Sequence, residues 1–341
     1  MKVLIVGGGL AGICLGHHLE DEGCDITIID KGENFSSAIA AGMINPMVFR
    51  RMLKTWRGDE VIPYLVDFYA KTEKKIGGKF FFPRKIKRYF STEEETNLWE
   101  MRTKDSSYSN YISSEKEEPQ SFIHNTFGVG TVFSPGYVDA TLFMRLNHRY
   151  FKDKKYLITA SFDYNELNTN ALTYKNERFD KIVFAEGYSG VDNPFFNYLP
   201  LNQTKGEVLK VTIPNYPNKD IINRKCFILP TEDGTYRVGA TFAWKNINTK
   251  PTEEGKQTLL EQYNKLCVLP LSIIEHEAGI RPTVSDRRPL IGEHQTHKGL
   301  FIFNGLGTKG YMLGPYFAHH FTQHLLHNTE LDDEVNISRF L

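Results

Sequence analysis

The sequence has few cysteines, no excess of positive or negative charge and no long apolar run. Its four cysteines in 341 residues form no CxxC pair, which is too sparse for a disulfide framework and fits a reducing compartment. Because 41 basic and 41 acidic residues balance, binding to a nucleic-acid duplex through a general basic surface is disfavoured. Without an apolar run of about 18 residues, no transmembrane helix is expected. These absences predict a cytoplasmic protein that does not act in a membrane.

The composition is that of an ordinary globular protein. Hydrophobic residues make up 40% and charged residues 24%, which is close to the average for folded domains. A chain of 341 residues can bury a large core without disulfides. At roughly 150 residues per domain, this length predicts about two domains.

The first thirty residues contain the strongest motif. The apolar run at residues 3–6 predicts a strand buried on both faces, and residues 7–12 follow as GxGxxG. In such a motif Gly7 allows a tight turn, Gly9 lets the backbone approach a pyrophosphate and Gly12 lets the helix pack on the strand. A second strand ends at Asp30, where an acid meets ribose hydroxyls. This order of elements favours a dinucleotide site, for NAD or FAD, over a glycine-rich turn without a ligand.

Three later segments carry further signals. Residues 36–46 are mostly small and suit a backbone that passes close to a flat ligand. Residues 278–292 read AGIRPTVSDRRPLIG, and residues 300–310 read LFIFNGLGTKG. On these segments and the N-terminal motif, the whole chain resembles the D-amino-acid oxidase superfamily of FAD-dependent oxidoreductases, of the glycine oxidase and sarcosine oxidase kind. It is also similar to the oxidase half of the bifunctional enzyme that completes 5-methylaminomethyl-2-thiouridine in tRNA.

The resemblance implies an α/β protein with a Rossmann-like FAD-binding domain and a second, mainly antiparallel β-sheet (α+β) substrate domain. The FAD-binding domain is predicted to be discontinuous, at residues 1–50, 130–200 and 279–341, and the substrate domain to comprise residues 51–129 and 201–278. Sarcosine oxidases attach the flavin covalently to a cysteine near the last strand. This sequence has no cysteine there, so noncovalent FAD is expected.

The motif and the resemblance together predict the residues that hold FAD. They lie in the N-terminal fingerprint, the small-residue segment, the strand end near residue 185 and the last glycine turn. They are Gly7, Gly9, Leu10, Ala11, Gly12, Asp30, Lys31, Ser37, Ala41, Gly42, Met43, Ala185, Gly187, Gly305, Leu306, Gly307, Thr308, Lys309 and Gly310.

The glycine turn at residues 305–310 is itself a second GxGxxG. Only residues 311–341 follow it, too few for a second βαβ unit with its acid. The resemblance places this turn at the N1–C2=O edge of the flavin, where a helix N-terminus would stabilise negative charge. Without a nicotinamide domain, we expect electrons to come from the substrate and to leave to oxygen or another acceptor.

Two arginines are predicted to be catalytic. The resemblance implies that Arg281 holds the substrate carboxylate over the flavin, since its planar guanidinium matches a carboxylate in bidentate fashion. The alternative is a structural arginine paired with Asp286 or with a carbonyl oxygen. Arg237 corresponds in position to a lysine near flavin N5 in some sarcosine oxidases, and the alternative, which the strand position favours slightly, is a solvent-facing arginine.

Other side chains are predicted to contact the substrate. Tyr236 and Phe242, with Trp244, are candidates for the pocket wall, although aromatic residues at strand spacing often belong to a core. Lys309 follows the last strand and is expected to contact the flavin or an anionic substrate.

Two further sets of residues have open interpretations. Basic clusters at residues 50–57 and 84–88 are compatible with RNA, although a solvated charged face is the commoner meaning of such runs, and the acidic residues 93–95 and 115–118 dilute the charge. His320, His324 and His327 share one side of the last helix, but no further ligand is evident and no metal is expected.

The sequence therefore predicts an FAD-dependent oxidoreductase that oxidises the C–N bond of an amino acid or secondary amine by hydride transfer to flavin N5. Its partners would be a small amine and an electron acceptor. The first alternative is a tRNA-modifying oxidase that removes carboxymethyl from a wobble uridine. The second is a flavin-binding protein without turnover.

Overall fold

The computed structural model describes residues 1–33, 36–113, 120–133, 136–217 and 219–341. The acidic residues 115–118 lie outside this range. The helices within it are α1 (Leu10–Asp21), α2 (Ser36–Ile39), α3 (Gly58–Ile76), α4 (Glu93–Thr103), α5 (Ala140–Asp153), α6 (Glu253–Asn264) and α7 (Gly310–His327). The strands are β1 (Lys2–Val6), β2 (Asp25–Asp30), β3 (Met43–Ile44), β4 (Met47–Val48), β5 (Leu53–Lys54), β6 (Phe81–Phe82), β7 (Ile86–Tyr89), β8 (Val129–Val132), β9 (Gly136–Val138), β10 (Leu157–Thr159), β11 (Leu167–Asn168), β12 (Thr173–Tyr174), β13 (Glu177–Arg178), β14 (Lys181–Phe184), β15 (Leu201–Thr212), β16 (Ile221–Asn223), β17 (Phe227–Pro230), β18 (Tyr236–Gly239), β19 (Ser272–Val284), β20 (Leu290–Glu293) and β21 (Leu300–Asn304).

The first sheet has the strand order β10-β2-β1-β14-β21-β20. Its strands pair in parallel, except that β20 runs antiparallel to β21. From β1 the chain proceeds outward through β2 to β10 and then returns to the other side of β1 as β14. This reversal creates a crevice at the carboxyl ends of β1 and β14, which is where open α/β sheets bind ligands.

Strand β1 is apolar because it is buried on both faces. Val3 and Ile5 belong to the core that includes residues of α1, α3, α5 and α7, whereas Leu4 and Val6 belong to a second core with residues of β12, β14 and β21. The alternation of two cores along one strand explains the continuous apolar run that the sequence shows.

The second sheet has the strand order β19-β15-β18-β17-β16-β7-β8. Neighbours are antiparallel, except for β16 and β7. The longest pairing joins β15 to β19 and sets Gly206 opposite Gly279 and Thr204 opposite Arg281. Short strands form the small sheets β3-β9-β6, β4-β5 and β11-β12-β13.

The predicted class, a Rossmann-like sheet with a mainly antiparallel second sheet, is confirmed. The sequence also predicts amphipathic helices at residues 58–76 and 252–267; the first is α3, and the second contains α6. The proposed domain boundaries at 129/130 and 278/279 fall inside β8 and β19, and the division into two domains stays a prediction. Across the described part of the chain, no helix combines the length and apolar character needed to cross a membrane.

Candidate active site

A cavity of about 480 Å³ is lined by residues of both sheets. Its lining includes the ends of β1 and β14, the small-residue segment, the centres of β15 and β19 and the last glycine turn. Of the predicted FAD-binding residues, the following line it: Gly7, Gly9, Leu10, Ala11, Asp30, Lys31, Ser37, Ala41, Gly42, Met43, Ala185, Gly187, Leu306, Gly307, Thr308, Lys309 and Gly310.

Glycines shape the end of the cavity beside α1. Gly7 has φ +107, and a Cβ there would collide with the carbonyl oxygen of Ala185. Gly12 is outside the lining, and a Cβ on it would collide with the Gly7 carbonyl oxygen. A Cβ on Gly9 would instead meet only the Ser37 hydroxyl, at 3.5 Å, and would otherwise project into open space. Gly7 and Gly12 thus serve the turn and the close packing of α1, and the open space beside Gly9 is where the motif predicts a ligand.

The N-terminus of α1 and Asp30 complete this end. Helix α1 has no side-chain N-cap, and the N–H of Leu10 donates to the Ser37 hydroxyl at 3.1 Å. One oxygen of the Asp30 carboxylate accepts from the N–H of Gly8 at 2.7 Å, and the other accepts from the N–H of Gly32 at 2.8 Å. Asp30 therefore fixes the glycine loop while still facing the cavity, and the remaining helix N–H groups suit a pyrophosphate.

The small-residue segment is held against α1 by distant side chains. The Tyr311 hydroxyl donates to the carbonyl oxygen of Ser37 at 2.9 Å, and the N–H of Ile280 donates to the Ser36 hydroxyl at 3.0 Å. Gly42 has φ +66 and lies so close to β9 that a Cβ would collide with the Val138 carbonyl oxygen. These contacts keep the backbone of residues 36–43 along the cavity wall, and a flat cofactor fits beside it.

Arg281 is the central charged residue of the other end. Its guanidinium lies 5.5 Å from the centre of the Phe242 ring and makes only long hydrogen bonds, to the carbonyl oxygens of Lys205 at 3.5 Å and Thr241 at 3.4 Å. Asp286, one alternative partner, pairs with Arg339 at 2.9 Å, and the long contacts to Lys205 and Thr241 are those of the other alternative, a carbonyl oxygen. Burial lowers the pKa of Arg281 to about 10, so the group is charged at neutral pH but has no acid beside it among the described residues.

Gly206 makes room for this guanidinium. A Cβ on Gly206 would collide with the guanidinium carbon and nitrogens of Arg281. Gly279, directly opposite in the register, is different, because its Cβ would meet its nearest atom, Ser36 Cα, at 3.5 Å. No signal in the sequence assigns a role to Gly206, since only the strand register shows that it lies beneath Arg281.

Arg237 and Tyr236 do not line the cavity. The Arg237 guanidinium donates to the carbonyl oxygens of Ile39 at 2.8 Å and Ala40 at 3.2 Å and pairs with Glu277 at 3.5 Å. Tyr236 packs against Tyr216, with 4.9 Å between ring centres, in a separate apolar cluster. Both side chains thus contact other neighbours in this structure, and the catalytic role predicted for Arg237 and the substrate-binding role predicted for Tyr236 stay predictions.

Phe242 and Lys309 do line the cavity. Phe242 is 51% exposed and Trp244 is 62% exposed, and their ring centres are 5.0 Å apart, so the two rings form an exposed pair and not part of a core, and Trp244 lies outside the lining. The Lys309 ammonium donates to the Asn45 carbonyl oxygen at 3.3 Å and to the Thr55 hydroxyl. Burial and the nearby charge of Arg287 lower the pKa of Lys309 to about 8.

Gly305 lies just behind the lining and has φ +74. The neighbouring Asn304 is buried and donates to the Gly187 carbonyl oxygen at 2.9 Å, which ties the last strand to the β14 turn.

Glu186 also lines the cavity. It accepts hydrogen bonds from Tyr164 and, at 2.7 Å, from Asn193, and burial raises the pKa of its carboxyl group. Asn304 and Glu186 had no distinguishing signal in the sequence.

The basic clusters are largely neutralised by neighbouring acids. Lys54, Arg57, Arg84, Lys87 and Arg88 each pair with an acidic side chain. No residue of either cluster lines the cavity.

The C-terminal histidines are also engaged locally. His320 accepts from the N–H of Asp332 at 3.2 Å, and His324 contacts the Thr329 carbonyl oxygen at 2.8 Å. The described residues contain no group of three or more His, Cys, Asp or Glu side chains suited to a metal ion.

Comparison with known proteins identifies the family. Residues 2–324 match the family model of FAD dependent oxidoreductases. The chain belongs to this family and is an FAD-dependent oxidoreductase of the glycine oxidase and amine oxidase type. FAD is its cofactor, which agrees with the glycine cradle and the acid described above.

Two curated proteins and one solved structure illustrate the relationship. The chain is 25% identical to the glycine oxidase of Bacillus subtilis, over 98% of this chain and 94% of that protein. It is 20% identical to the tRNA 5-methylaminomethyl-2-thiouridine biosynthesis bifunctional protein MnmC of Marinobacter nauticus, over 99% of this chain but 58% of that protein. The crystal structure of glycine oxidase from Geobacillus kaustophilus superposes with a TM-score of 0.82 at 18% identity, covering 99% of this chain and 98% of that one.

Proposed function

We propose that this enzyme oxidises the C–N bond of an amino acid or a carboxylate-bearing secondary amine. The observation that carries the proposal is the Arg281 guanidinium, which faces the cavity without an acidic partner among the described residues. A buried cation without a counter-ion is costly, so its position favours a ligand that supplies the negative charge. An α-carboxylate fits the planar guanidinium in bidentate geometry.

The residues at the α1 end would hold the cofactor. Gly7, Gly9 and the α1 N-terminus suit the pyrophosphate, and Asp30 suits the ribose. When bound, FAD supplies a two-electron acceptor for the substrate's α-hydrogen at flavin N5. The resulting imine would be hydrolysed by water, and the electrons would pass to oxygen or another acceptor.

The chain itself would contribute orientation and charge more than acid–base chemistry. Arg281 anchors the carboxylate, Phe242 packs over the guanidinium, and Gly206 leaves the space in which the guanidinium lies. Holding the Cα–H bond in one orientation is a large part of what such a site can supply.

The substitution Arg281→Lys tests the proposal. The substitution keeps the charge but loses the bidentate geometry. The transition state for a carboxylate-bearing amine should therefore lose about 2–4 kcal/mol of stabilisation, which is measured as a lower kcat/KM. The measurement is the anaerobic rate of flavin reduction by a panel of amino acids and N-alkyl glycines. FAD content should not change, and equal rates for both proteins would exclude the role of Arg281.

A tRNA substrate is the second candidate, favoured by the similarity to MnmC. The chain spans 58% of that protein, and five of the cations in the two basic clusters are already paired with acids. A small amine is therefore the better-supported substrate. Adding hypomodified tRNA to the same anaerobic assay separates the two candidates, because only the preferred substrate should bleach the flavin at micromolar concentration.

A further inference from the structure

The cavity contains a second cation that the proposed carboxylate of the substrate does not neutralise. Lys309 lines the cavity with Arg281, and one carboxylate can offset only one of the two charges. Thr308, beside Lys309, lines the cavity and is exposed, so this part of the cavity is open to solvent. A ligand group larger than the reacting amine can therefore extend toward it.

The contacts of Lys309 account for two of its three N–H donors. One goes to the Asn45 carbonyl oxygen at 3.3 Å and one to the Thr55 hydroxyl. Thr55 in turn donates to the same Asn45 carbonyl at 3.1 Å. Both acceptors are neutral, so they fix the position of the ammonium group without cancelling its charge. The third N–H remains available to a group in the cavity.

The acids in this region are bound to other cations. Asp286 pairs with Arg339, Glu334 contacts Arg288 and the Trp56 indole, and Asp332 pairs with Arg57. Arg287 is exposed, and its positive charge acts on Lys309. Among the described residues no acid is recorded with either Lys309 or Arg287, and the pair forms a local positive field beside the cavity.

We propose that Lys309, supported by Arg287, forms a second anion-binding subsite, so that the preferred substrate is an amine with two anionic groups. Arg281 holds the carboxylate next to the reacting carbon, and Lys309 holds the second anion. The inference rests on the proposed function and specifies its substrate class. A charge-assisted hydrogen bond to a buried ammonium is worth enough to favour such substrates by about tenfold or more.

The test compares substrates that differ only in the second anion. Sarcosine and iminodiacetate share a secondary amine and one carboxylate, and glutamine and glutamate of each hand provide a second matched pair. In each pair the second compound carries the additional anion. For at least one pair, we expect anaerobic flavin reduction by the wild-type holoenzyme to give a kcat/KM at least about tenfold higher for this compound than for its partner. In Lys309→Met this ratio should fall to about one, with FAD content unchanged, and Lys309→Arg should restore part of it. Arg287→Ala should lower the ratio by a smaller factor.

Ligand binding without turnover provides an independent measurement. Perturbation of the flavin absorption spectrum by acetate and by succinate gives two Kd values, and only the succinate value should weaken in Lys309→Met. Lys298→Met is the matched control, since this lysine is exposed and pairs with Glu293 away from the cavity. It should leave both the rates and the Kd values unchanged.

Two results would overturn the subsite. One is a wild-type ratio near one in both pairs. The other is an equal loss on both members of a pair in Lys309→Met together with a shift in the flavin midpoint potential, which would assign the lysine to the flavin. If monocarboxylate amines reduce the flavin and depend on Arg281, the proposed function stands whichever way Lys309 behaves. If no amine reduces it, the proposed function itself fails.

Discussion

At the end of the cavity beside α1 the contacts are made by backbone groups and glycines, whereas at the end beside Arg281 they are made by charged side chains. Gly7, Gly9 and the N–H groups that follow present a surface without side chains. Arg281 and Lys309 instead bring two positive charges that no described acid offsets. The first end is suited to a ligand common to many proteins, and the second to a particular substrate.

The two ends should therefore fail in different ways. A side chain added at the glycine end removes space that the cofactor needs, so the expected loss is binding of FAD. A change at the charged end leaves that space intact, so the expected loss is recognition of the substrate.

The largest expected effect is that of Gly9→Val. The new side chain has only the Ser37 hydroxyl nearby, so the protein should fold, but it would occupy the space predicted for the pyrophosphate. We expect at least a hundredfold weaker binding of FAD, on the order of 3 kcal/mol, measured by titration of the apoprotein with FAD. Gly58→Ala is the control, because a Cβ there has its nearest contact at 3.9 Å and lies outside the lining. Normal flavin content in Gly9→Val would place the cofactor elsewhere.

The glycine end could be predicted from the sequence because its determinants are local. Gly7, Gly12 and Asp30 lie within one βαβ unit, and the motif fixes both their spacing and their roles. The structure sets each of them where the motif predicts. The last glycine turn could also be assigned, through the family resemblance, and residues 306–310 line the cavity.

The charged end could be predicted only in part, because its geometry depends on long-range register. Arg281 was identified through a family segment, but Gly206 lies 75 residues earlier in the numbering and meets it only when β15 pairs with β19. Arg237 has the right residue type on a plausible strand, yet its guanidinium reaches Ile39 and Ala40 instead of the cavity. The direction of one side chain on a strand cannot be read from spacing alone.

A comparison of Gly206→Ala with Gly279→Ala probes that register directly. The two glycines face each other across β15 and β19, but only a Cβ on Gly206 would collide with the Arg281 guanidinium. We expect Gly206→Ala to lower kcat/KM for carboxylate-bearing amines by about tenfold to a hundredfold, or roughly 1.4–2.8 kcal/mol, with normal flavin content. Gly279→Ala is the control and should stay within about threefold of the wild type, a difference below 1 kcal/mol. Equal behaviour of the two variants would mean that Arg281 moves freely and needs no space above Gly206.

The smallest expected effect is that of low pH. Acid should reduce the stability of the glycine end through His17, whereas Arg281 and Lys309 at the other end should stay charged. His17 lies in α1, buried against Phe151 with 4.8 Å between ring centres. Burial lowers its pKa to about 4, so the folded protein holds it neutral, whereas the unfolded chain takes up a proton near pH 6.5. Because the unfolded state binds more protons, this contribution to stability is complete above about pH 6.5 and is lost as the pH falls toward 4. Arg281 and Lys309, with pKa values of about 10 and about 8, keep their charges over this range.

The variant His17→Gln isolates the pH-dependent contribution of His17 to stability. Its amide can still donate to the Asn147 side chain that His17 contacts but cannot take up a proton. Between pH 7 and pH 5.5, which is one unit below the ordinary pKa of histidine, the wild type should lose about 1 kcal/mol of unfolding free energy through His17. Urea unfolding of the holoenzyme at the two pH values measures the loss of unfolding free energy. In His17→Gln the loss should be smaller than in the wild type by the contribution of His17. In the control His327→Gln, where the histidine is exposed, the loss should equal that of the wild type. If FAD release follows the same pH dependence while the affinity for a carboxylate inhibitor does not, the two ends respond separately. A wild-type pH dependence that survives in His17→Gln would mean that other groups, such as the half-buried His18 whose pKa is lowered to about 3, account for the acid sensitivity of the α1 end.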